Sequence, residues 1–373
     1  MTRDLPLVSI VTPTFNQGAT IRETIDSVAS QTYPAVEHIV IDGGSTDETV
    51  EILRSAPRVR WISEKDRGQT HAINKGLRMA RGEIVAYLNS DDLYLPHAVA
   101  AAVDALRSHP EVELVYGDGL VIDGDGATLW EWLSRPEDWR LLTGYFFLWN
   151  DFTNYIMQQA TFWRRRLHDR VGWFDEDFHL TMDIEFWLRV GASGAGMLHL
   201  PVQLAKFRMA PGTKSLSSPT VFWEDQLELF RRYARPRLGR FVEQYLFEEM
   251  NRNGASLDAA RARYRAIARR RWAALPDFTA LEALDESAAL GALVRFADHA
   301  WNTGDAARAR ALWGEALRRS RAALVHRRAP ALLAKLSSGP LAPHLRRAWL
   351  KGIERYRDWR YQYRYREKRP AAH

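Results

Sequence analysis

The sequence predicts an α/β protein: a Rossmann-like, mainly parallel sheet over residues 1–220, then a basic, mainly helical region over 221–373. Three observations carry this. Short β-branched runs alternate with segments of helical spacing through about the first 95 residues, the pattern of a parallel sheet wound by right-handed crossovers. Three of the runs stop at a polar turn, at Thr12-Pro-Thr-Phe-Asn16, Asp42-Gly-Gly-Ser-Thr-Asp-Glu-Thr49 and Asn89-Ser-Asp-Asp92, and ligands of open α/β sheets bind at that carboxyl edge. Beyond residue 221, helical patterns replace strand patterns.

Residues 7–11 form the first predicted strand, ended by the proline turn. Ile21, Ile25, Val28 and Ala29 then mark an amphipathic helix over 19–31, stopped at Tyr33-Pro34. A second strand over 36–41 leads to Gly43-Gly44, a tight turn, and Ser45 with Glu48 reads as a capping box for the helix through Val50 and Leu53. Residues 59–63 are a short third strand. The loop Glu64-Lys-Asp-Arg-Gly-Gln-Thr-His-Ala-Ile-Asn-Lys-Gly76 turns into a helix ending near Arg81-Gly82, and the apolar run 84–88 is a buried strand. Such a sheet gathers Thr12, Asp42, Arg67 and Asp91 at one edge.

Farther on, 97–109 reads as a helix, 113–117 and 120–122 as a strand pair, and Asp123-Gly-Asp-Gly126 as a tight turn. The aromatic stretch 127–157 has no assignable period. Residues 159–166 suggest a strand leading to a helix, 182–189 a helix, and 198–208 contain a further strand; 211–219 is a loop by composition. Residues 222–233 and 241–250 are amphipathic. One helix-turn-helix unit of tetratricopeptide cadence covers 302–317, with no second copy at a spacing of about 34 residues. The tail 356–369 interleaves aromatic and basic side chains, which suit nucleobases or a membrane interface.

With no cysteine, the chain has no disulfide, thiolate nucleophile or Cys-type zinc site. No signal-peptide core and no run of 18 apolar residues is present, so a cytoplasmic protein is expected. The net charge of +6 hides an asymmetry: residues 1–230 carry 21 Lys/Arg against 32 Asp/Glu, and 231–373 carry 31 against 14. A segment of about +17 suits anionic lipid, nucleic acid or phosphate-bearing substrates.

Asp91 and Asp92 sit side by side after a buried strand. Adjacent carboxylates repel unless a cation or proton lies between them, so one reading is a hard divalent ion, Mg²⁺ or Mn²⁺, shared with a phosphate. The other is a helix N-cap ahead of Leu93-Tyr-Leu-Pro96.

In these segments the chain resembles the inverting family 2 glycosyltransferases of GT-A fold, closest to the bacterial branch that builds surface polysaccharides such as O-antigen and capsule. The resemblance lies in seven segments taken in order: residues 8–16, 23–34, 39–47, 66–68 with 72–76, 82–92, 159–165 and 183–189. It does not extend over 221–373. It implies that Asp42 meets the base of a uridine-type nucleotide beside Thr12, Thr14 and Asn16, and that Arg67 and Asn74 belong to the donor site, Arg67 toward the diphosphate. It implies that Asp91 and Asp92 face the ribose and a cation bridging the diphosphate, although this chain has Asn89 where the family often has Asp. Asp183 matches the family's base, with Met182 in place of its usual glutamate and Glu185 as the second choice. Gln159, Arg208 and Lys214 match positions near the acceptor cleft and closing loop.

The expected partners are thus a nucleotide-sugar donor, a saccharide or undecaprenyl-diphosphate-linked acceptor, and an anionic membrane surface met by the basic region; nucleic acid is not expected. A nucleotidyltransferase making an activated sugar is a rival reading, but Thr12-Pro-Thr-Phe-Asn16 is not the Gly-rich basic loop a triphosphate needs. A non-catalytic nucleic-acid or membrane binder is the other rival, and Asp91, Asp92 and Asp183 argue against it.

Overall fold

A computed structural model describes residues 5–134, 156–209 and 219–319. The chain divides into two compact units, Met1–Arg235 and Pro236–His373. Lys214, the loop 211–218, most of the aromatic stretch 127–157 and the tail 356–369 lie outside the described residues.

In the first unit the expected alternation is present: β1 (Val8–Thr14), α1 (Ile21–Ala29), β2 (Val36–Asp42), α2 (Thr49–Arg54), β3 (Val59–Ser63), α3 (Gln69–Met79) and β4 (Ile84–Tyr87). β5 (Leu93–Tyr94), α4 (Ala98–Ser108), β6 (Val112–Ile122), β7 (Thr128–Trp132), β8 (Thr161–Arg164) and α5 (Leu167–Val171) follow. The unit continues through α6 (Met182–Ala192), β9 (Gly196–Arg208) and α7 (Pro219–Tyr233).

The described strands make one sheet in the order β3-β2-β1-β4-β8-β6-β9-β5, with β7 on β6. β3, β2, β1 and β4 run parallel, so the sheet reverses its winding between β1 and β4, the switch point where doubly wound folds bind ligands. Antiparallel pairs enter with β8, β7 and β5, while β6 and β9 are parallel. The expected α/β class holds. The anticipated pair 113–117 and 120–122 is one strand, β6, because Gly117 and Gly119 stay extended and pair along β9 through register shifts.

β1 is buried along its whole length, and Val8, Ile10, Val11, Ile39, Ile41, Ile84 and Val85 form the core with Ile73 and Leu77 of α3. Gly76 lets α3 lie flat on β1: a Cβ there would collide with Val11.

The sheet unit ends at Arg235 rather than at residue 220. The reason is α7, whose buried Asp225 binds the backbone at 179–181 and so belongs with the sheet.

The second unit is helical among its described residues: α8 (Leu238–Arg252), α9 (Leu257–Trp272), α10 (Phe278–Glu282), α11 (Leu284–Thr303) and α12 (Ala306–Arg319). The unit anticipated at 302–317 covers the turn and most of α12; its first helix, α11, begins earlier, at Leu284, and is ended by Gly304 in the left-handed region (φ 102°). Buried Asp285 is held by Arg261 at 2.8 Å and Arg265 at 3.0 Å, so part of the positive charge here is structural.

Candidate active site

β1 and β2 end in register, Thr14 opposite Asp42. Asp42 is fully buried and its carboxylate organises the turn after β2. One oxygen accepts from the Gly44 and Ser45 N–H groups (3.2 and 3.1 Å) and from the Ser63 hydroxyl (2.6 Å); the other accepts from the Ser45 hydroxyl (2.5 Å). Gly44 supplies the positive φ of 87° that wraps the chain round it.

The anticipated Ser45–Glu48 capping box is therefore not formed. Ser45 serves the buried carboxylate, whose need for donors exceeds that of a helix end open to solvent, and Asp47 takes the Thr49 N–H at the start of α2 (3.1 Å). Asn16, at φ 52°, donates its N–H to Ser45 Oγ (2.7 Å) and accepts from the Thr46 N–H (2.9 Å), lacing the two turns together.

Thr12 and Thr14 part company. The Thr12 hydroxyl pairs with buried His38 Nε2 at 2.9 Å, inside the sheet. Thr14 Oγ1 is buried and has no hydrogen-bond partner among the described residues. A buried hydroxyl left in that state favours a ligand atom as its partner.

At the end of β4 the two acids separate in role. Asp92 is fully buried: its Oδ1 accepts from the Arg208 N–H (2.9 Å), and Oδ2 from the amides of Gln159 (2.9 Å) and Asn89 (3.1 Å). Asn89 in turn accepts from the Gln69 amide at 2.7 Å, so its carbonyl is also engaged. Burial, and after it the charge of Asp91, pushes the Asp92 carboxyl well above the usual carboxylate range. Asp91 is partly exposed, and its carboxylate accepts no hydrogen bond from another described residue; burial raises its pKa as well.

The resemblance turned this pair toward the ribose and a cation; in the structure the Asp92 carboxylate is engaged by protein donors, and that of Asp91, a partly exposed residue, accepts none from another described residue. Among the described residues no three His, Cys, Asp or Glu side chains cluster into a complete metal cage. One hard carboxylate with a raised pKa, beside a second buried acid, still fits a Mg²⁺- or Mn²⁺-type ion, which takes one or two carboxylates and fills its remaining positions from water and phosphate.

Arg208 is the hub that sequence reading placed only near the acceptor cleft. It is 3% exposed and joins the Asp91 carbonyl (3.0 Å), the Gly124 carbonyl (2.7 Å) and the Glu23 carboxylate (2.5 Å). Gln158, unremarked in the sequence, donates to the Tyr87 carbonyl at 2.8 Å. Their partners are 71 to 185 residues away along the chain, so no local signal marks them.

Asp183 lies in the first turn of α6 and is partly exposed. Buried Tyr87, at the end of β4, brings it into relation with the other acids. The phenol's pKa is raised first by burial, then by the negative charge of Asp183, then by that of Asp92, so Asp183 and Asp92 share the neighbourhood of this ring.

Glu185, the second choice for the base, is 1% exposed and fully engaged: Arg189 binds it through two nitrogens (3.1 and 2.7 Å) and Tyr233 donates at 2.7 Å. Two other residues expected at the donor site make contacts within the protein. Asn74 clamps Phe174, donating to its carbonyl (2.8 Å) and accepting from its N–H (3.0 Å). Arg67, 71% exposed, pairs with Glu176 at 2.7 Å.

The family profile described as Glycosyl transferase family 2 matches residues 9–172, the span that holds the switch point and the β4 acids. A PGL/p-HBAD biosynthesis glycosyltransferase of Mycobacterium bovis is 33% identical over 190 residues, 49% of this chain and 69% of that protein. The chain belongs to glycosyltransferase family 2. The glycosyltransferase also shares 37% identity over 126 residues with chondroitin synthase of Escherichia coli, 33% of this chain but 18% of that larger protein.

Among solved structures, Staphylococcus aureus TarS 1–349 in complex with UDP aligns with a TM-score of 0.53 at 17% identity, covering 80% of this chain and 92% of that one. The glycosyltransferase thus has the GT-A fold that its motifs implied.

Proposed function

We propose that this glycosyltransferase moves a sugar from a uridine-diphosphate sugar to a saccharide or undecaprenyl-diphosphate-linked saccharide, with inversion, in the assembly of a bacterial surface polysaccharide. The single observation that carries the reading is that Asp183 and Asp92, the direct neighbour of Asp91, both act on the buried Tyr87 phenol at the carboxyl edge of the β4 strand. A sugar hydroxyl is a poor nucleophile until its proton has a destination. Asp183 accepts that proton, the hydroxyl oxygen bonds to the anomeric carbon, and the bond from that carbon to the departing diphosphate breaks on the opposite face.

The nucleoside end is received by the turns after β1 and β2, where Asp42 holds the loop in shape and Thr14 offers its unmatched hydroxyl. TarS, a protein of the same fold, was solved with UDP, which favours a uridine donor. A Mg²⁺ or Mn²⁺ ion held by Asp91 would supply positive charge to the leaving diphosphate. No described helix is long and apolar enough to cross a membrane, and we assign the basic second unit to an anionic membrane surface.

The test is release of UDP from UDP-glucose, UDP-galactose, UDP-N-acetylglucosamine and UDP-glucuronic acid with Mn²⁺, with Mg²⁺ and with chelator. Turnover of one donor, abolished by chelator and by Asp91→Ala, is expected, with Asp183→Asn slower by about 10²- to 10⁴-fold. Absence of both turnover and metal-dependent nucleotide binding overturns the donor-site reading.

A further inference from the structure

α7 begins after the stretch matched by the family profile, yet its side chains grip the segment that carries the proposed base. Three contacts define the grip. Asp225, with no exposed surface, accepts through one carboxylate oxygen from the N–H groups of His179 (2.9 Å), Leu180 (2.8 Å) and Thr181 (3.3 Å). Arg232, seven residues on and so on the same helix face, pairs with Asp175 at 2.7 Å and lies over the Phe178 ring at 5.0 Å. Tyr233 donates to Glu185 at 2.7 Å, on the far side of Asp183.

The backbone entering α6 draws its donors' partner from α7. Thr181 is the N-cap of α6 by position but makes no side-chain cap, and its hydroxyl is without a partner among the described residues. The N–H groups leading into the helix are therefore satisfied from another element, α7, by a charge. A carboxylate beside the amino end of a helix is also favourably placed against the helix dipole.

We infer that Asp225 is a positioning residue for glycosyl transfer: by fixing the backbone at 179–181 it sets where the first turn of α6, and with it the Asp183 carboxylate, stands against the acceptor hydroxyl. This rests on the reading of Asp183 as the base. Asp225 acts through the backbone that ends two residues before Asp183.

The experiment measures turnover of the UDP-sugar identified in the panel above by the full chain carrying Asp225→Ala, Asp225→Asn, Asp183→Asn and the double variant Asp183→Asn/Asp225→Ala, with unfolding midpoints alongside. Displacing a catalytic group by about 1 Å costs on the order of 10²-fold, so Asp225→Ala is expected to lower kcat by about that factor while donor KM stays within about threefold. Asp225→Asn keeps an accepting oxygen and is expected to recover most of the rate. Should Asp225→Ala fail to fold, Asp225→Glu, which keeps the charge but moves the accepting oxygen by one methylene, carries the same split, with kcat lowered and donor KM unchanged. In the Asp183→Asn background the Asp225 substitution is expected to cost less than about twofold more, because residues acting as a unit are not additive.

Equal factors in both backgrounds, or a loss falling on KM, overturn the positioning role while leaving the base assignment standing. Near-wild-type turnover by Asp183→Asn overturns the base assignment, and the positioning role falls with it.

Discussion

Asp92 sits among three N–H donors with no exposed surface, and removing its side chain strands all of them. Asp92→Ala is therefore expected to lower the free energy of unfolding by about 3 kcal/mol. Asp91→Ala, at a partly exposed carboxylate, is expected to change stability by less than about 0.5 kcal/mol while abolishing turnover. Denaturant midpoints set against rates separate the two.

Two histidines make a second prediction at this scale. Burial pushes His38 and His168 down to about 4 from the ordinary 6.5, and His168 Nε2 accepts from the indole N–H of Trp163, which only a neutral ring can do. In the window between those values the unfolded chain binds protons that the folded chain refuses. Stability is therefore complete above about pH 6.5 and is lost as pH falls toward 4, by roughly 3 kcal/mol per histidine. Replacing His38 by Gln should make that acid limb shallower, read from unfolding midpoints between pH 4 and 7.

Among the elements, α6 shows how two acids two residues apart acquire different work. Asp183 and Glu185 point to different sides of the helix. The inward side meets Arg189 and Tyr233, so Glu185 becomes part of the packing, and Asp183 stays accessible. Glu185→Gln is expected to keep kcat within about threefold and to cost stability, since a buried partner of Arg189 is weakened. Asp183→Asn is expected to do the reverse, and kcat alongside thermal midpoints for both variants checks it. The elements themselves were largely legible: β1 to β4 and α1 to α3 come from local runs and periods. The turn at 42–49 was legible as a turn, but the role of Ser45 was not, because Ser63 and Asn16 reach that turn from other strands and loops.

For the whole molecule, the division at Arg235 predicts what truncation does. A chain ending at 235 is expected to keep donor turnover, whereas one ending at 220 loses α7 and with it Asp225, and is expected to lose turnover and melt at lower temperature. Vesicle flotation tests the basic half: the full chain should bind membranes rich in anionic phospholipid and release them as salt rises, since charge attraction is screened within about 10 Å at 0.1 M salt. Equal binding by the chain ending at 235 would remove the second unit from that role.

By itself the sequence determined the α/β class, the parallel first half of the sheet and the family, and it put Asp91 directly after the fourth parallel strand. These are matters of hydrophobic period and of motifs a few residues long, written locally. Tertiary structure alone decided that the Asp92 carboxylate is held by donors within the protein while Asp91 is left partly exposed, that Glu185 is buried against Arg189 and Tyr233, that Asn74 is a clamp, and that α7 belongs to the sheet unit. Each of those depends on which donors arrive from distant segments, such as Arg208 at Asp92 and Tyr233 at Glu185, and burial makes such partners decisive because an unmatched polar group away from water is costly.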